Sequence, residues 1–171
     1  KVCVAGGSVG FTGAPVLAAL AAARMGSGLV YLGVPKEIYP ITAAMCLEAM
    51  PFPLAGRQGM LSGEALFGIL ERLNGCDAGV IGPGLGRSRE LTLLLRHVLE
   101  QVKTPLVLDA DGLYGVRNQK EILKARQEKG WVTVLTPHEG EFAYLGGKLS
   151  CREAGSTDPE YWEERSRERI R

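Results

Sequence analysis

Short apolar runs and longer amphipathic segments alternate along most of the chain. Residues 2–5, 29–34, 77–81, 105–108 and 132–135 are short runs rich in Val, Leu, Ile and Ala, each followed within two residues by Gly, Pro or Asp. Such runs read as strands buried on both faces. Between them, residues 14–25, 38–50, 62–73, 88–102 and 121–128 show helical spacing or helix-favouring composition. Pro15 falls in a first turn, where a missing N–H costs nothing. Ser62 is placed to cap one helix and Ser88 precedes another. Pro51-Phe52-Pro53 reads as a break, and a last short helix runs to about Leu145.

This alternation predicts an α/β fold, with a mostly parallel sheet and helices on both faces. In such sheets ligands bind at the carboxyl ends of the strands. Four predicted strand ends carry loops of unusual composition, at residues 6–13, 82–86, 109–112 and 136–141. All four are expected on one edge, and the active site with them.

Residues 150–171 break the pattern, with six acids and five arginines in 22 residues. Thr157-Asp158-Pro159-Glu160 resembles a capping box, and Tyr161, Trp162 and Arg165 follow at helical spacing. The expected division is residues 1–149 as a partial α/β domain and 150–171 as a charged tail opening a helix cut off at Arg171. A natural polar terminus is the alternative. The strand that begins at once after Lys1 likewise implies preceding residues.

Composition narrows the function classes. A chain of 171 residues fits one domain. Lys+Arg 20 against Asp+Glu 19 gives a net charge of +1, without the basic excess of a general nucleic-acid binder. No apolar stretch approaches the roughly 18 residues of a membrane span, and no secretory leader is visible. Gly 23 beside 6% aromatics points to glycine at specific backbone positions. Cys3, Cys46, Cys76 and Cys151 lack C-x-x-C spacing and only His97 and His138 could assist them, so no metal site is expected. Cys3, Cys46 and Cys76 read as small core residues of a reducing, cytosolic compartment.

The loops carry the candidate chemistry. Gly6-Gly7-Ser8-Val9-Gly10-Phe11-Thr12-Gly13 follows a strand and opens a helix, where backbone N–H groups and the helix N-terminus favour an anion. It lacks both G-x-G-x-x-G spacing and a Walker lysine. Gly82-Pro83-Gly84-Leu85-Gly86 lets a flat ligand approach the backbone, or is simply a turn. Asp109 and Asp111 flank Ala110, so alternation points their carboxylates apart. One is expected to reach ligand or a metal shell and the other to cap a loop. In Thr136-Pro137-His138-Glu139-Gly140-Glu141, His138 can bond a phosphate, hydroxyl or amide, while Glu139 suits the helix dipole. His97 reads as a surface or packing residue.

Gly6-Gly-Ser-x-Gly-Phe-Thr-Gly-Ala14, Gly82-Pro-Gly-Leu-Gly86, Leu108-Asp-Ala-Asp-Gly-Leu113 and Leu135-Thr-Pro-His-x-Gly-Glu-Phe142 occur in this order. Together they resemble the NAD(P)H-hydrate dehydratases, ADP- or ATP-dependent repair enzymes of the ribokinase-like superfamily, over residues 2 to about 146. The resemblance implies a three-layer ribokinase-like fold, of which residues 1–149 are part. It implies a lyase that returns hydrated NADH or NADPH to NAD(P)H, with ADP or ATP as phosphoryl donor and Mg2+ beside it. It also implies a cytoplasmic homo-oligomer, such as a tetramer, with neither nucleic acid nor membrane as partner. By motif, Ala14, Gly84 and His138 would contact the hydrated dinucleotide, and Phe11, Thr12 and Gly13 would complete the pocket. Asp111 would be a polar group near the nicotinamide or a metal-bound water, and Glu141 a further member. The family also carries a Lys-Gly segment and a Gly-Asp motif holding the nucleotide site, the anion hole and the general base. No Gly-x-Gly-Asp run occurs here, so this chain alone is expected to show little or no dehydratase activity.

Two other readings compete. One is a small-molecule kinase of the same superfamily; the other is a nucleotide-binding module without catalysis. A plain NAD dehydrogenase fits less well, because the first loop lacks the dinucleotide fingerprint.

Overall fold

The structure, a computed structural model, describes residues 1–147. The charged tail and the helix expected beyond Thr157 lie outside these residues.

Strands β1 (Val2–Ala5), β2 (Val30–Pro35), β3 (Met50–Leu54), β6 (Ala78–Ile81), β7 (Leu106–Leu108) and β8 (Thr133–Leu135) form one sheet in the order β3-β2-β1-β6-β7-β8. Every pairing in it is parallel, with β1 central: Val2 faces Val30 on one side and Ala78 on the other. Helices α1 (Gly13–Arg24), α2 (Tyr39–Met45), α3 (Leu66–Asn74), α4 (Arg89–Gln101), α5 (Asp111–Val116), α6 (Lys120–Glu128) and α7 (Glu139–Tyr144) connect and flank the strands.

Side-chain alternation builds two cores. Val4, Leu32 and Val34 pack with Val16, Ala19 and Ile38 on one face, beneath α1 and α2. Cys3, Ala5, Ile81, Leu106 and Leu108 pack with Ile69, Leu73, Leu94 and Leu113 on the other, beneath α3, α4 and α5. Adjacent residues of β1 thus serve opposite cores, as a period of two requires. The result is the expected three layers.

Three expectations are corrected. Pro51-Phe52-Pro53 is not a break but lies inside β3, paired with β2. The two prolines stand two residues apart on an edge strand, so their missing N–H groups both face outward and cost the ladder nothing. The helix predicted over residues 38–50 accordingly ends at Met45. Ser62 makes no capping bond; a short 3₁₀ turn (Gly63–Ala65) leads into α3, and Glu90 accepts from the Gly63 amide at 2.8 Å. Ser88 does cap α4, its hydroxyl accepting from the Leu91 amide at 3.0 Å.

A further element went unforeseen. Gly56–Arg57 (β4) and Met60–Leu61 (β5) form a small antiparallel hairpin. Its turn residues Gln58 and Gly59 have φ of 53° and 76°, the positive pair that tight hairpin turns need.

Candidate functional site

The strand order reverses direction between β1 and β6: β1 leads to β2 and β3 on one side, then the chain crosses to β6, β7 and β8 on the other. A crevice opens at the carboxyl ends of strands at such a reversal. Loops 6–13 and 82–86 flank it, and loops 109–112 and 136–141 continue along the same edge, as predicted. From β1 to β8 the edge spans three strand spacings of roughly 4.8 Å, about 14 Å in all. That is room for a ligand of more than one ring.

Close backbone contact joins the first two loops. The Gly7 amide donates to the Pro83 carbonyl at 2.9 Å, and the buried Ser8 hydroxyl donates to the Gly84 carbonyl at 2.8 Å. Gly84 has φ +67°, and a Cβ there would stand 2.8 Å from the Phe11 carbonyl oxygen and 3.6 Å from the Ala14 Cβ. Gly82 is tighter still: with φ +132°, its Cβ would lie 1.8 Å from the Asp109 carbonyl oxygen. The glycines expected to admit a ligand are therefore first required by loop-on-loop packing. That packing brings Phe11, Ala14 and Gly84 together, with Phe11 61% exposed at the crevice.

At the start of α1, Thr12 occupies the N-cap position without a side-chain cap bond. The amides of Gly13 and Ala14 belong to a first turn that has no intrahelical acceptor for them. The hairpin closes the other side of this loop, where the Val9 amide donates to the Gly59 carbonyl at 2.8 Å.

The two aspartates make separate contacts, but not through strand alternation: β7 ends at Leu108, Ala110 has φ 49° and Asp111 already opens α5. Asp109 accepts from the Thr136 hydroxyl at 2.8 Å and so ties β7 to the loop after β8. Asp111 accepts from the Gly86 amide and from Arg87 Nε, both at 2.9 Å. It braces the second glycine loop.

His138 departs from the simple picture. It is the N-cap of α7: its Nδ1 accepts from the Gly140 amide at 3.0 Å and the Glu141 amide at 3.4 Å. Glu141 reaches back to the His138 amide at 2.9 Å, completing a capping box, and its other oxygen lies 3.3 Å from His138 Nε2. An accepting Nδ1 assigns the proton to Nε2. Nδ1 is thus held within the turn, while the ring itself is 71% exposed and Glu141 is buried. His97, as expected, sits on the surface of α4, beside Glu100.

Sequence reasoning missed Ser8, Arg87 and the hairpin. Ser8 lay inside a loop already noted, and Arg87 directly follows another. Gln58-Gly59 was the only local sign of the hairpin. No group of three or more His, Cys, Asp or Glu side chains among the described residues is arranged to hold a metal ion. No helix among them is long and apolar enough to cross a membrane. A cavity of about 620 Å³ lies away from the loops, between α6 and β8, walled by Leu123, Trp131, Val132, Leu135 and Leu145. Lys120, Lys124, Gln127 and Thr133 line it as well; the loop edge is preferred because it lies at the carboxyl ends of the parallel strands, at the reversal of strand order.

The switch-point crevice on a six-stranded parallel sheet defines an open α/β ligand-binding domain. A ribokinase-like superfamily protein from Enterococcus faecalis has this fold, with a TM-score of 0.63 and 23% identity over 84% of this chain and 47% of that one. The chain belongs to the NAD(P)H-hydrate dehydratase family, whose model matches residues 2–166. A bifunctional NAD(P)H-hydrate repair enzyme of Salinibacter ruber is 37% identical over 166 residues, 94% of this chain and 30% of the relative. An ATP-dependent (S)-NAD(P)H-hydrate dehydratase of Caenorhabditis briggsae is 35% identical over 148 residues, 85% of this chain and 44% of the relative. The chain therefore spans less than half the length of these curated relatives.

Proposed function

We propose that this chain forms the dinucleotide-binding part of a cytoplasmic, homo-oligomeric lyase that repairs hydrated NADH and NADPH. The observation that carries the reading is the junction of Phe11, Ala14 and Gly84 at the switch-point crevice, in a chain of this family. The exposed Phe11 ring offers a flat surface to the hydrated nicotinamide. The Gly13 and Ala14 amides, with Thr12, offer donors to an amide carbonyl or phosphate. Gly84 keeps the floor of the pocket free of side chain. His138 presents its exposed ring, oriented by the cap bond at Nδ1. Asp111 and Glu141 act as positioning residues, holding loop 82–86 and His138.

The reaction needs a leaving group. Hydroxide leaves poorly and phosphate well, so the γ-phosphoryl of ATP, or the β-phosphoryl of ADP, passes to the ring hydroxyl, whose proton goes to a base. The C–O bond then breaks, phosphate departs, and a proton lost from the adjacent ring carbon restores the double bond. Such transfer rests on positioning and charge stabilisation. Mg2+ would enter on the nucleotide phosphates, since the described residues form no metal cage. The general base and the nucleotide site are assigned outside the residues named here.

The test is recovery of NADH absorbance from hydrated NADH, with ADP or ATP, by the encoded full-length protein, beside binding of hydrated NADH to the 171-residue chain. Nucleotide-dependent recovery supports the reading. Phosphorylation of a small hydroxylated substrate, with hydrated NADH untouched, would replace it by the kinase.

A further inference from the structure

Arg87, Ser88, Arg89, Thr92, Tyr114 and Arg117 line a cavity of about 340 Å³ where α4 begins beside α5. Three of these six residues are cations and none is an acid. The guanidinium carbons of Arg87 and Arg117 lie 4.3 and 3.6 Å from the centroid of the Tyr114 ring. The aromatic face thus gathers two positive charges into one place. Gathering like charges is unfavourable unless something negative offsets them. Asp111 does so for Arg87, at its Nε, and Arg117 Nη1 donates to the Tyr114 carbonyl, a dipole rather than a charge. Arg89 lines the cavity and is exposed.

Guanidinium forks match phosphate oxygens in geometry and charge. Thr92 lines the same wall, with its hydroxyl donating to the Ser88 carbonyl at 3.1 Å. The cavity is also tied to the candidate site. Asp111, Tyr114 and Arg117 follow one another at intervals of three, and Asp111 holds both the Gly86 amide and Arg87. A ligand lying over loop 82–86 therefore has this basin directly beyond the loop.

We propose that Arg87, Arg89 and Arg117 form a binding site for a phosphate group, supplied by the 2′-phosphate or the pyrophosphate of the dinucleotide. The source of the phosphate rests on the function proposed above; the site itself does not.

Calorimetric titration of the 171-residue chain with NADPH, NADH and inorganic pyrophosphate tests this, in the wild type, Arg89→Gln and Arg117→Gln. Each substitution removes a charged hydrogen-bonding partner and should weaken phosphate binding about tenfold. Loss confined to NADPH assigns the 2′-phosphate; equal loss for NADPH, NADH and pyrophosphate assigns the pyrophosphate. Thermal melts of the variants separate lost binding from lost folding, and the exposed Arg89 is the safer of the two. Pyrophosphate binding that both variants lose, in a protein that binds no dinucleotide, would uphold the site and refute its dinucleotide source. Affinities unchanged in both variants, or a wild type that binds none of the three, would overturn the proposal.

Discussion

The Asp111 carboxylate accepts the Gly86 amide at 2.9 Å across 25 residues of sequence, locking the loop after β6 to the start of α5. The same carboxylate meets Arg87 Nε at 2.9 Å. The ion pair is half-exposed on the arginine side and contributes little by itself. The amide bond matters more, because it fixes a backbone that carries the pocket floor. Asp111→Ala is expected to lower stability by about 1–2 kcal/mol and to weaken dinucleotide binding several-fold. Asp111→Asn keeps one acceptor and should lose less of both. Chemical denaturation and a binding titration on the two variants check the order; equal losses would mean that the ion pair, not the amide bond, does the bracing.

Glycine substitutions at the loop contact should follow a rank. Gly82→Ala places a Cβ 1.8 Å from a carbonyl oxygen at φ +132°, and is expected to prevent proper folding. Gly84→Ala meets the Phe11 carbonyl at 2.8 Å at φ +67°. It should fold with a loss of about 1–3 kcal/mol and lose dinucleotide binding. Gly13→Ala meets nothing within 4 Å and lies at the start of α1, so it should gain up to about 1 kcal/mol. Thermal melts of the three variants give the comparison. A Gly84→Ala protein with unchanged melting and binding would show that the loops can separate freely.

How far the sequence revealed this depends on the kind of signal. The loops were legible because glycine and aspartate clusters after apolar runs are local features. Parallel pairing followed from strands too apolar to face water. β3 was not legible, since Pro51 and Pro53 break any pattern except that of a sheet edge, and an edge is a tertiary fact. The cap at His138 was half legible: Glu141 three residues on is the capping-box acid, but histidine is not among the usual cap residues. The role of Arg126 was invisible, because apolar periodicity says nothing about a cation that turns inward.

Arg126 is 1% exposed. Its guanidinium donates to the carbonyls of Leu99, Val102 and Thr104 and to the Thr133 hydroxyl. It thereby satisfies carbonyls at the end of α4, where a positive charge also meets the negative end of the helix, and holds α6 to β8. Burial pushes its pKa below the usual arginine value. Arg126→Ala strands several buried acceptors and should cost about 2–4 kcal/mol. Arg126→Lys should recover little, because one ammonium cannot reach positions spread across a planar fork. Denaturation midpoints decide it; a lysine variant as stable as the wild type would reduce Arg126 to a simple charge.

Cys3 supplies a pH dependence with a definite sign. Its side chain is fully buried in β1, and burial, with Cys76 nearby, pushes its pKa up from about 9.0 to about 12. The folded state therefore keeps a proton that the unfolded chain releases. The stabilisation from the buried neutral thiol is complete below pH 9 and is lost progressively as pH rises from about 9 to about 12, at about 1.4 kcal/mol per unit. Cys3→Ala lacks this dependence, although the smaller side chain lowers its stability at neutral pH. The gap between wild type and variant should narrow as pH climbs from 9 to 10.5, read from urea denaturation at each pH. The difference isolates Cys3, because tyrosines and lysines titrate in both proteins alike. The same burial predicts slow alkylation of Cys3 at pH 8, since the thiolate is the reacting form. A gap constant across that range, or rapid labelling of Cys3 in the folded protein, would mean that β1 opens to solvent.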